Sequence, residues 1–172
     1  GAGTNTAALG FGGYAGTSSL GVTETWNGTN WTEVNDLNTA RQYMGTAGTN
    51  TAALAFGGGT PAPTAVTETW NGTNWTEVND LNTGRISLAG CGATNTAALA
   101  FGGYTTPPYT VKTETETWNG TNWTATTDLN VGRASLAGAG TNTAALGFGG
   151  PGASSAATEE FNTGVAVGAW ST

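Results

Sequence analysis

The eighteen residues at 22–39, VTETWNGTNWTEVNDLNT, return without a change at 66–83. A chain that writes one stretch twice must give it the same surroundings twice, so repetition is the first constraint on the fold. "TNTAAL" starts at Thr4, Thr49, Thr94 and Thr141, and each copy runs on to "FGG" at Phe11, Phe56, Phe101 and Phe148. "TWNGTNWT" starts at Thr25, Thr69 and Thr117. Each second tryptophan (Trp31, Trp75, Trp123) is followed ten residues later by an arginine (Arg41, Arg85, Arg133). The last copy degrades, with Phe161 for the first tryptophan and Trp170 near the second. Terminal repeats are often atypical in this way.

Inside one unit the local signals are for strands. "TAALAF" is apolar on both faces, which predicts a strand covered on both sides. "VTETW" alternates, with Val66, Glu68 and Trp70 on one face and Thr67 and Thr69 on the other. No segment holds apolar residues at helical spacing, and Gly and Thr are poor helix formers. Four short strands per unit follow, near 86–91, 96–102, 112–118 and 122–126 in the third. "NGTN" joins the last two, where a turn is required, and Asn-Gly is the strongest short turn signal because both residues accept positive φ. The same letters match the N-glycosylation pattern, but a turn explains them without a sugar.

Four-stranded units repeating every 40–50 residues indicate a β-propeller. The run "TETWNGTNWTEVNDLNTAR…TNTAALAFGG" resembles a kelch repeat: an aromatic before a turn, a tryptophan after it, an arginine after the next loop, and a diglycine closing a strand. The resemblance implies an all-β, kelch-like propeller of four blades, each of four antiparallel strands, at about 1–38, 39–82, 83–130 and 131–172. Kelch units usually carry more bulk where this chain has Ala and Gly, which implies a lean core near the axis. Thr/Asn/Gly-rich chains of this kind also resemble structural proteins of bacteriophages such as tail fibres. Four blades are few for the family. The ring is expected either to close on itself or to be completed by another copy or by further sequence. The start at Gly1, without Met, points to a processed or excised fragment.

Composition narrows the function. Charged residues are 9% and the net charge is −7. Arg41, Arg85, Lys112 and Arg133 are the only cations. Four scattered cations build no basic patch, so neither a nucleic acid nor an anionic membrane surface is an expected partner. No apolar run approaches the length of a transmembrane helix, and there is no signal-peptide pattern. The lone Cys91 excludes an intrachain disulfide and reads as a small buried hydrophobe. There is no histidine. That removes the commonest transition-metal ligand and most nucleophile–base pairs. No metal site, cofactor or catalytic residue is expected.

The candidate site comes from what varies. With four antiparallel strands per unit, the constant turns "GTNT" and "NGTN" share one side. The loops 14–21, 59–65, 104–112 and 151–157 share the other, and they differ in length and aromatic content. Recognition on repeat scaffolds is usually placed in such loops. Tyr14, Tyr104, Pro107 and Tyr109 are the candidate contacts, with Arg41, Arg85 and Arg133 as an arc that could hold an anion. For the arginines, one structural pairing per unit with a repeat glutamate (Glu24, Glu68, Glu116), a repeat aspartate (Asp36, Asp80, Asp128) or a loop carbonyl is the competing explanation. The expected function is a non-enzymatic structural and binding module, extracellular or on a virion surface. It would self-associate or join a larger assembly and present its loops to a glycan or a surface protein. The alternatives are a glycan hydrolase or lyase with acids from the blades or from flanking domains, for which Glu114 and Glu116 are the residues to mutate, and an assembly protein without a ligand.

Overall fold

The computed structural model describes residues 1–151, 156–164 and 169–171. Among them are four four-stranded antiparallel sheets, one short hairpin and no helix. The first sheet holds β1 (Ala2–Gly3), β2 (Ala8–Tyr14), β3 (Ser19–Trp26) and β4 (Trp31–Val34). The second holds β5 (Gly45–Gly48), β6 (Ala53–Phe56), β7 (Thr67–Trp70) and β8 (Trp75–Val78). In the third, β9 (Ala89–Thr94) and β10 (Ala97–Phe101) are followed by a side hairpin of β11 (Tyr104–Thr105) and β12 (Thr110–Val111). The third sheet then ends with β13 (Thr115–Trp118) and β14 (Trp123–Ala125). The fourth sheet holds β15 (Ala137–Gly140), β16 (Ala144–Phe148), β17 (Thr158–Asn162) and β18 (Ala169–Ser171). In each sheet, strands neighbouring in sequence pair in space.

The core lies between sheets rather than inside one. Leu9 and Leu37 of the first unit meet Ala53, Ala55, Trp70 and Trp75 of the second. Leu54, Phe56 and Leu81 then meet Ala98, Ala100, Trp118 and Trp123. Leu99, Phe101 and Leu129 meet Ala145, Phe161 and Trp170. One motif recurs at each junction. A phenylalanine packs against the next unit's tryptophan, edge-on in Phe11–Trp75 at 4.8 Å and Phe56–Trp123 at 4.8 Å and tilted in Phe101–Trp170 at 4.9 Å. The indole Nε1 then donates to a threonine Oγ1 of the preceding unit, Trp75 to Thr23, Trp123 to Thr67 and Trp170 to Thr115. An aromatic pair of this kind adds ~0.5–1.5 kcal/mol beyond its burial.

The lean inner strands have a steric cause. A Cβ on Gly90 would come within 2.9 Å of both the nitrogen and the oxygen of Thr46 on β5, and one on Gly138 within 2.9 Å of the Gly90 oxygen. Glycine here lets successive inner strands approach backbone to backbone. β1, β5, β9 and β15 line one shallow groove of 260 Å³ around which the sheets are arranged. Cys91 sits there, buried, and burial pushes its thiol pKa up to about 12.

The constant turns differ in detail from the sequence reading. Only the glycines take positive φ, near 92° at Gly28 and Gly72 and 93° at Gly120. The asparagine acts through its side chain: Asn71 Oδ1 accepts from the amides of Thr73 and Asn74 at 2.9 Å each, as Asn27 and Asn119 do in their turns. The connection is therefore a four-residue turn capped by Asn, a role that short side chain performs readily.

Candidate functional site

The arginines build the base of the variable loops. Arg41 stands at the start of the second unit, between β4 and β5, and serves that unit. Its Nη2 donates to Glu68 Oε1 at 3.0 Å, and its Nη1 donates to the carbonyls of Gly57 at 2.9 Å and Val66 at 2.6 Å. Gly57 and Val66 flank the loop between β6 and β7, so one guanidinium ties the loop's two ends together. Arg85 repeats this with Glu116 and the carbonyls of Gly102 and Glu114. Arg133 repeats it with Glu159 and the carbonyls of Gly149 and Ala157. Asn38, Asn82 and Asn130 complete each strap, donating a backbone and a side-chain N–H to the same carboxylate between 2.7 and 2.9 Å.

These side chains are sealed: Arg41 and Arg85 are 0% exposed and Arg133 2%. Burial pulls the Arg41 and Arg85 pKa values below their usual range, and the paired glutamates push back. The expectation that Arg41, Arg85 and Arg133 face a ligand is therefore corrected. Their Nη groups are committed to holding loops in place. The repeat aspartates do a different job. Asp36, Asp80 and Asp128 accept the amides of Thr23 within β3, Thr67 at the start of β7 and Thr115 at the start of β13.

Above that base the loops take different shapes. In the first unit β2 and β3 continue their ladder out to Tyr14 and Ser19. Tyr14 is 51% exposed, and its hydroxyl donates to the Gly16 carbonyl at 2.7 Å. Ser19 Oγ reaches the Gly59 carbonyl of the next loop at 3.3 Å. Between these two loops lies a cleft of 440 Å³, lined by Tyr14, Thr17, Ser18, Ser19, Gln42 and Pro61 together with Thr60 and Ala40. That volume is within the range of small-ligand sites. Gln42 also lines the cleft, and its Oε1 is sealed from solvent and accepts no hydrogen bond among the described residues.

Tyr104, Pro107 and Tyr109 come together in a second feature. The β11–β12 hairpin stands out from the third sheet, with the Tyr104 and Tyr109 rings 4.8 Å apart and tilted by 38°. Tyr104 is tied to Ile86 by a reciprocal pair of backbone bonds at 2.9 Å. Pro107 and Tyr109 are exposed. Tyr14 belongs to the separate cleft described above. The fourth loop, 151–157, falls largely outside the described residues.

Sequence reasoning missed a third concave place. Tyr43, Ser87 and Ser135 each lie two residues after a strap arginine, and all have left-handed φ, between 52° and 55°. The amide of Ser87 donates to the Tyr43 carbonyl at 2.9 Å, and that of Ser135 to the Ser87 carbonyl at 2.8 Å, stitching unit to unit. With Met44, Leu88 and Leu136 they line a hollow of 320 Å³. The usable signal was Tyr43, a bulky residue where the other units carry serine.

The acids offer little for catalysis. Glu116 is buried in the strap with Arg85 and Asn82. Burial works against the Glu114 charge, but the Lys112 ammonium at 3.0 Å, a backbone hydrogen bond and the Arg85 charge together outweigh it and hold that carboxyl below its usual range. A general acid needs the opposite shift.

Stacked four-stranded antiparallel sheets around a common inner edge define an all-β, propeller-like protein. One solved structure it resembles is that of YjhT, which has a β-propeller-like fold. The TM-score is 0.75 at 11% identity, covering 90% of this chain and 53% of that one, so the chain spans about half the neighbour's length. No family model matches the chain, and no curated protein does.

Proposed function

We propose that the chain is a non-enzymatic binding module: four blades of a kelch-like propeller that present their variable loops to a glycan. The observation that carries this reading is the cleft between the first two loops. Tyr14 offers an aromatic face, which suits stacking on a sugar ring. Thr17, Ser18 and Thr60 line the same cleft with hydroxyl side chains, and Gln42 adds an amide side chain to the lining. Sugars present apolar ring faces and hydroxyl donors together. The Tyr104–Tyr109 hairpin adds a second aromatic contact on the same set of loops. The Arg–Glu straps support the reading indirectly, because they fix loop ends and leave loop tips free to differ. The low charge and the phage-like composition favour a place outside the cell or on a virion surface.

Titration of the chain against a panel of neutral oligosaccharides tests this. Saturable binding that weakens ~10-fold or more in Tyr14→Ala and in Gln42→Ala, without glycan turnover, is the expected result. Turnover of a glycan would replace the reading with an enzyme. Absence of binding across the panel, with binding of a protein partner through the Tyr104–Tyr109 hairpin, would replace the ligand class.

A further inference from the structure

The three internal junctions show what covers a blade face in this molecule, and both halves of a fourth junction stand open. On the first unit, Trp31 is 50% exposed, whereas its equivalents Trp75, Trp123 and Trp170 are 5% exposed. Trp31 Nε1 has no acceptor among the described residues, whereas the other three donate to Thr23, Thr67 and Thr115. On the fourth unit, Phe148 is 38% exposed and Leu146 43%, whereas Phe56 and Phe101 are 0% exposed. Thr158, the counterpart of Thr23, Thr67 and Thr115, is exposed, and those three are fully buried. One end lacks a phenylalanine and a threonine hydroxyl, and the other end lacks a tryptophan.

We infer that these two faces dock head to tail between copies of this chain, Trp31 of one copy against Phe148 of the next, with the Trp31 indole donating to Thr158. The joint reproduces an interface already present three times, with the same side chains in the same roles. Such an asymmetric joint either closes into a ring or runs on as a filament, and both forms need the same two residues. One element is missing. Asn130 and Arg133 are already committed to Glu159 within their own chain, so they bring no strap to Glu24 of the next copy. Every hydrogen bond to the equivalent Glu68 carboxylate comes from the strap residues 38–41, so Glu24 stays hydrated at the rim and the joint is weaker than the internal ones.

Sedimentation of the chain across a concentration series, with native mass spectrometry, reads the outcome. The expected result is reversible self-association in multiples of 17.1 kDa. Trp31→Ala and Phe148→Ala, each with an unchanged circular dichroism spectrum, should each weaken it ~30-fold or more. Thr158→Val should weaken it ~3–10-fold. Mixing the Trp31→Ala and Phe148→Ala chains regenerates one intact joint, so the mixture should form a heterodimer that neither variant forms alone. A chain that stays monomeric at high micromolar concentration, with Trp31 open to acrylamide quenching, overturns the inference and leaves the faces to a blade from another protein. Association that survives both substitutions overturns it equally.

Discussion

Residues 22–39 and 66–83 are the same eighteen letters in two environments. In the second copy Trp75 is 5% exposed and Glu68 0%; in the first Trp31 is 50% exposed and Glu24 lies open. Strand pairing hardly differs: Trp26 faces Trp31 as Trp70 faces Trp75, in the same register. Local sequence therefore sets the sheet, and the neighbouring unit sets what the sheet's side chains are worth. The difference lies in what packs against each copy. Phe11, Thr23 and the Asn38–Arg41 strap lie against the second copy, and no equivalent groups lie against the first among the described residues.

The sharpest way to break that comparison is at the glutamates. Glu68→Ala strands Arg41 as a buried, unpaired cation and should cost ~3–5 kcal/mol. Glu24→Ala, the same change in the same letters, should stay within ~0.5 kcal/mol. Urea midpoints of the two variants decide it, and equal losses would mean that the strap is not what makes Glu68 matter. The tryptophans come next. Trp75→Ala removes the partner of Phe11 and should cost ~3–5 kcal/mol. Trp31→Ala, measured at a concentration where the chain is monomeric, should cost well under half of that.

Much of this was legible in the sequence, and the limits have physical causes. The two-faced apolar run at 53–56 signalled a strand covered on both sides, and all four residues are buried. The repeat period gave the sheets, because each unit alternates in the same phase. The partner of each arginine was not legible. One structural pairing per unit left Glu24 and Glu68, a unit apart, both open to Arg41, and it pairs with Glu68 inside its own 39–82 unit. Glu159 of the degenerate last copy becomes the third partner, and Glu24 is left over. Periodicity fixes what recurs, and a shift of one whole unit leaves every spacing unchanged. The clefts were illegible for a related reason. Tyr14, Gln42 and Pro61 meet through the relative placement of two loops, and no spacing within one repeat encodes that.

A pair of glycines sharpens the comparison at smaller scale. Gly90 on β9 faces the backbone of β5 with no room for a methyl group, so Gly90→Ala should cost ~1–3 kcal/mol through overpacking. Gly10 on β2 stands where the second and third units carry Ala55 and Ala100. A Cβ there would meet only the Trp31 ring, at an ordinary 3.5 Å. Gly10→Ala should therefore be neutral or stabilise by up to ~1 kcal/mol, since it also restricts the unfolded chain. Thermal midpoints of both variants test whether closeness to the axis, rather than glycine itself, sets the cost.

The smallest expected effect separates the third loop from the strap beneath it. The Glu114 carbonyl accepts from Arg85 in the strap, while the Glu114 carboxylate pairs at the surface with Lys112 at 3.0 Å. Burial alone would raise that carboxyl's pKa, but the Lys112 hydrogen bond and the Lys112 and Arg85 charges lower it below its ordinary value. A carboxyl whose pKa is lower folded than unfolded stabilises the fold above its unfolded value, about 4.3. That contribution fades as the pH falls through the lower, folded value. Glu114→Gln should therefore separate slightly from the parent chain near neutral pH, and the two urea midpoints should converge as the pH drops below about 4. Solvent reaches this pair, so the separation should be small and shrink further in high salt. A gap that persists at low pH would place the effect of Glu114 in the packing of its loop rather than in its charge.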